Sequence, residues 1–184
     1  MAAAGWDDDG VRTQRWYLIK NGIFQTYQTT RDQAHPIGEK ESRGCSQADS
    51  YDGVPFQRMP NVILEPGQKP MSLEDLIAGV DDGVLIDGRG SYSIDQQRYN
   101  FQFGGDAFWE IKHGKKANMI ADVAYQARTT DFWKACDALG DQRTYGRFGT
   151  PGDAKGQPVQ TNSMNHDCPA ARFRGITVLR TDSA

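Results

Sequence analysis

The chain has 184 residues, 38% of them apolar and 20 of them glycine, with a net charge of −3. That length supports a real core in one domain, or one domain with an appendage, and the glycine content favours short strands and turns over long helices. The negative balance gives no electrostatic case for a nucleic-acid partner, which wants a basic patch, and no apolar run approaches the roughly 20 residues of a membrane span.

The start, Met1 to Asp9, has neither the basic nor the apolar region of a secretion signal. Val11 to Tyr27 predicts a hairpin: a mostly apolar run Arg15–Ile19, a tight turn at Asn21-Gly22, and a return over Ile23–Tyr27. Arg31 to Asp52 is polar with little periodicity and reads as a long surface loop. Pro55 to Pro60 is extended, and Asn61–Glu65 is a strand stopped by Pro66-Gly67. Ser72 caps a helix whose first turn carries Glu74 and Asp75, and which ends near Gly79. Gly83–Asp87 is a buried strand, followed by a turn at Gly88-Arg89-Gly90.

The stretch Ser91–Gln126 reads as a meander. Tyr99, Phe101 and Phe103 alternate with polar residues, the period of a half-buried strand. Gly104-Gly105 breaks that strand, Phe108, Trp109 and Ile111 begin a second, His113-Gly114-Lys115 turns, and Met119–Tyr125 forms a third. Thr129 and Thr130 cap a helix over Asp131–Leu139 closed by Gly140, with Cys136 among its core positions. Gly146–Gln157 is a glycine-rich loop, Pro158–Met164 is extended, and Arg172–Leu179 is a final strand. There is no internal repeat and no linker. The expected fold class is α+β, mostly antiparallel β, as a curved sandwich or partly open barrel with two short helices.

Few residues offer chemistry unaided. Cys45, Cys136 and Cys168 are an odd set with no CxxC, which fits a reducing cytoplasm. His35, His113 and His166 show no i, i+4 pairing of the kind that presents two imidazoles on one helix face. His113 reads as an exposed turn residue and His35 has no visible partner. His166-Asp167-Cys168 offers two ligands where zinc wants three or four. No nucleophile elbow, phosphate loop or dinucleotide fingerprint is present, so a complete active site is not expected from this chain alone.

In order and spacing, several segments nevertheless resemble the C-terminal domain of the TldD/PmbA (TldE) metallopeptidase family, also called modulators of DNA gyrase. They are Asp8–Arg15 with Asn21-Gly22, Arg58-Met59-Pro60-Asn61 with Leu64–Gly67, the helix with Gly83-Val84, and Ser93-Ile94-Asp95 to Phe103. Asp122–Gln126 with Thr129–Trp133 follows, then Lys155-Gly156-Gln157-Pro158, His166 and Ala171–Gly175. The resemblance implies an N-terminal domain with a His-Glu-x-x-x-His helix whose histidines bind zinc, its glutamate serving as general base. It also implies a third ligand, a cysteine, from the β-rich C-terminal domain, unfolded peptides as substrates, and a TldD/TldE-like partner chain in a dimer.

Against that pattern, residues 1–184 are expected to be a single C-terminal-type domain, with the zinc helix and all catalytic residues supplied elsewhere. The chain is then the half of a split metallopeptidase, or alternatively a TldE-like binding or scaffold subunit, or an inactive truncated fragment. Asp153 stands at the cysteine position and is the candidate metal ligand, the alternative being a solvated loop acid at a decayed site. Lys155, Gln157 and His166 are the candidate peptide-binding or loop residues.

Overall fold

In chain order, Asn21 and Gly22 carry positive φ values of 53° and 76°. They turn β1 (Ile19–Lys20) back onto β2 (Ile23–Phe24), the expected hairpin with a two-rung ladder. The computed structural model describes residues 3–59 and 61–182. Pro60, the expected end of an extended run, lies outside the described residues, as do Met1 and Ala2 at the start. The chain folds as two compact units, residues 1–64 with 146–168, and residues 65–145 with 169–184.

The expected surface loop from Arg31 to Asp52 is instead an ordered part of the first unit. It contains α1 (Arg31–Ala34), a 3₁₀ turn at His35–Ile37, and β3 (Ser46–Gln47), which pairs with β4 (Phe56–Gln57). Its interior is built from short polar side chains, which is why hydrophobic periodicity misses it. Thr29, Thr30, Ser42 and Ser46 are buried beside Ala34 and Cys45. The Ser42 hydroxyl donates to the Thr29 carbonyl at 3.0 Å, and the Thr29 hydroxyl accepts from the Arg43 amide at 3.0 Å. The Asp7 carboxylate accepts from the amides of Asp9, Val11 and Ser46 at 3.1, 2.8 and 3.0 Å. These bonds satisfy polar groups that burial would otherwise leave costly.

Burial pushes the Cys45 thiol up to about 11. The folded chain thus holds that proton more tightly than an unfolded thiol, whose value is about 8.5. The stabilisation is whole below the unfolded value and is lost as pH rises toward the folded one. At pH 8, Cys45 should react with a thiol reagent at least about tenfold more slowly than the half-buried Cys136 and Cys168. Site-resolved labelling by mass spectrometry checks this, and equal rates for all the cysteines would contradict it.

The second unit begins with α2 (Leu73–Ala78), capped as expected. The Ser72 hydroxyl accepts from the Asp75 amide at 3.1 Å, and the Asp75 carboxylate accepts from the Ser72 amide at 2.9 Å. Six strands follow: β5 (Asp82–Asp87), β6 (Tyr92–Ile94), β7 (Asn100–Phe103), β8 (Ala107–Lys112), β9 (Lys115–Ile120) and β10 (Val123–Arg128). They do form a meander, but each of its lines of chain is made of two strands, β5 with β6, β7 with β8 and β9 with β10. β5 pairs with β8 and β6 with β7, while β9 pairs with β8 and β10 with β7. Gly104-Gly105 therefore kinks one line of chain rather than reversing it. The expected strand Met119–Tyr125 is likewise two, divided at Asp122, where φ is 57°. Each line joins one sheet, in the order β5-β8-β9, to another in the order β15-β10-β7-β6, where β15 is Thr177–Arg180.

Thr129–Lys134 forms α3, and the expected helix stops there. Cys136–Leu139 is a strand, β11, so Cys136 is half-buried at a strand start rather than in a helix core. The pairing strand explains the change. β11 pairs with β14 (Ala171–Phe173), Phe132 stacks on Phe173 with centroids 3.8 Å apart, and Asp137 grips both Arg172 and Arg174 at 2.8 Å. One apolar spacing thus serves two elements.

The expected glycine-rich loop is β12 (Gly149–Lys155), paired with β13 (Gln160–Asn165). A register shift between Thr150 and Asp153 absorbs Pro151 and Gly152, the usual place for such residues in a strand. Asn61–Glu65 runs parallel to the end of β13 through a bridge from Asn61 to Asn165, but forms no ladder. The expected last strand is β14 and β15 (Thr177–Arg180), separated at Gly175, where φ is 64°.

Among the described residues every ladder is antiparallel and no sheet closes into a barrel. The class is the expected α+β with mostly antiparallel strands, and α1 joins the two expected helices. No described helix is long and apolar enough to cross a membrane.

Candidate functional site

Asp153 and Lys155 are two residues apart on β12, a spacing that puts both side chains on one side of the strand. Both reach the segment Phe56-Gln57-Arg58 in the same unit. The Arg58 Nη2 donates to the Asp153 backbone carbonyl at 2.6 Å and to its carboxylate at 3.1 Å. Lys155 Nζ donates to the Gln57 carbonyl at 2.5 Å and to Gln57 Oε1 at 2.7 Å. The Phe56 ring centroid lies 6.0 Å from Arg58 Cζ and 5.4 Å from Lys155 Nζ.

The burial is lopsided. Arg58 is 1% exposed and Asp153 35% exposed. A buried guanidinium stays charged and needs a counter-charge, and Asp153 supplies one. Sequence reasoning missed Arg58, Gln57 and Phe56 as part of this site. An arginine in an extended run carries no local sign that a carboxylate 95 residues away will cover it.

The remaining candidates lie elsewhere on the hairpin. Gln157 is exposed in the turn between β12 and β13. His166 follows the far end of β13, where its amide donates to the Phe148 carbonyl at 2.9 Å. Asp153 faces Asn162, so His166 stands four residues further along, about 13 Å at the rise of a strand. Cys168 pairs its backbone with Gly146, and burial raises its thiol. In the other unit His113 is the exposed turn residue expected, its Nδ1 2.8 Å from Asp81.

Among the described residues no group of three or more His, Cys, Asp or Glu could hold a metal ion. The residues present therefore do not fit a zinc centre by themselves. Asp153 is a single donor already engaged by a cation.

The family profile described as the PmbA/TldA metallopeptidase C-terminal domain matches residues 1–180. The chain belongs to that family, the TldD/PmbA metallopeptidases. A metalloprotease of Synechocystis sp. is 27% identical over 176 residues, covering 95% of this chain and 36% of that protein. A metalloprotease of Methanothermobacter thermautotrophicus is 27% identical over 135 residues, 73% of this chain and 29% of its own length. A relative from Saccharolobus solfataricus, 23% identical over 159 residues, is named a zinc metalloprotease TldD homologue.

The fold matches TldE of Thermococcus kodakarensis with a TM-score of 0.73 at 22% identity, over 95% of this chain and 36% of that one. It also matches a Thermotoga maritima protein described as a modulator of DNA gyrase, with a TM-score of 0.71 at 19% identity, over 97% of this chain and 36% of that one. The chain thus spans about a third of the length of the relatives it matches.

Proposed function

We propose that this chain is the β-rich C-terminal part of a TldD/PmbA-type peptidase acting on unfolded peptides. A segment bearing His-Glu-x-x-x-His, lying outside these 184 residues, would bring the zinc-binding histidines and the glutamate base. One observation carries the reading. A metallopeptidase profile matches residues 1–180, yet the described residues group no metal-ligand set. The setting is a cytoplasmic assembly of two chains.

Two forms of this reading differ in the work of Asp153. In the first it joins the two histidines as the third ligand, a donor set found in catalytic zinc sites. In the second the chain is a TldE-like binding subunit that stabilises its partner and offers peptide a surface. The ion pair to buried Arg58 favours the second. Peptide would add to an open sheet edge, where backbone bonds give sequence-tolerant affinity. β9 is such an edge, with exposed residues from Lys115 to Met119.

Mixing this chain with a TldD-like chain that carries the histidine helix is the test. Hydrolysis of an unfolded peptide should rise at least about 100-fold over either chain alone and vanish with a zinc chelator. A panel of such partners giving no gain would count against the reading. In an active mixture, Asp153→Asn keeps the rate within about threefold for a binding subunit and abolishes it for a ligand.

A further inference from the structure

We infer that Asp153 is the internal counter-ion of Arg58, and that this duty withdraws position 153 from metal binding. The functional consequence rests on the peptidase reading above; the assignment itself rests on geometry.

Arg58 is the largest of the fully buried side chains. Guanidinium does not deprotonate at any relevant pH, so the charge in that interior is permanent. Among the described residues Asp153 is the carboxylate that pairs with it. The contact is two-pronged. The same Nη2 holds the Asp153 carbonyl at 2.6 Å and its carboxylate at 3.1 Å, at the point where the β12–β13 register shifts. Backbone and side chain of Asp153 are thereby fixed toward the arginine by one donor. A divalent cation at this carboxylate would sit within a few ångströms of the guanidinium, where like charges repel even though solvent screens the half-exposed side of the carboxylate.

The exposed Lys155 ammonium also reaches this segment, donating to a carbonyl and an amide oxygen of Gln57. The Asp153 carboxylate is committed to the buried charge through its contact with Arg58 Nη2. On the peptidase reading above, that commitment gives a residue-level reason for position 153 to stay silent toward metal.

A double-mutant cycle on this chain tests the pairing without any partner. Asp153→Asn should shift the folding equilibrium roughly 10- to 100-fold toward unfolding, lowering Tm by about 3 to 10 °C. In an Arg58→Met background the same substitution should change Tm by less than about 2 °C. Equal effects in both backgrounds, or no effect in the native one, would overturn the assignment. If Arg58→Met does not fold, amide exchange in the native background decides. Residues 150–155 should exchange at least about tenfold faster in Asp153→Asn, and unchanged exchange would overturn the assignment. Because the cycle measures this chain alone, its outcome is separate from whether a peptidase can be reconstituted.

Discussion

Gly90→Ala is expected to destabilise the second unit by about 3 kcal/mol or more, for two reasons that add. Gly90 has a φ of 56°, in the left-handed region that costs a residue with a Cβ roughly 1–2 kcal/mol. A Cβ built there would also lie 2.5 Å from the Gly105 nitrogen and 2.7 Å from its carbonyl oxygen. Both are backbone atoms, so no side-chain rotation relieves the overlap. The position is sensitive because two bends cross at this point. Gly88–Gly90 carries β5 into β6, Gly104-Gly105 carries β7 into β8, and the Gly90 amide donates to Asp106 at 3.2 Å. Both sheets depend on that crossing. Urea melts of Gly90→Ala followed through Trp109 and Trp133 check this, and a loss under about 1 kcal/mol would show that the crossing has slack.

Much of the local structure is legible in the sequence because it is decided locally. The Asn21-Gly22 turn, the Ser72–Asp75 capping pair and the alternation over Asn100–Phe103 each need only neighbours within a few residues. What escapes prediction is what distant partners decide. Gly104-Gly105 reads equally as a reversal or a kink, and only the pairing of β8 with β5 and of β7 with β6 makes it a kink. The apolar spacing from Phe132 to Leu139 suits one helix, but β14 draws its second half into a strand. Residues 31–52 show little periodicity because hydroxyls and the Asp7 carboxylate line their interior.

The candidate site divides the same way. Asp153 and Lys155 can be singled out from the Lys155–Pro158 segment and its resemblance to a known family. Arg58 cannot be singled out as their partner, since its burial and its charge are matched only across 95 residues of chain. The structure therefore changes the meaning of Asp153 more than its position. A loop acid offered to a metal becomes a strand acid facing a buried cation.

That leads to the second large effect, which concerns zinc. A zinc site complete enough for catalysis has three protein ligands and binds its ion far more tightly than isolated surface donors do. The described residues offer no group of that size. The most direct test is therefore calorimetric titration of the purified 184-residue chain with zinc, paired with a peptide-hydrolysis assay on the same sample. The account predicts no binding tighter than about 1 μM and no zinc-dependent cleavage. One equivalent of zinc bound more tightly than that, with hydrolysis rising in step, would contradict it.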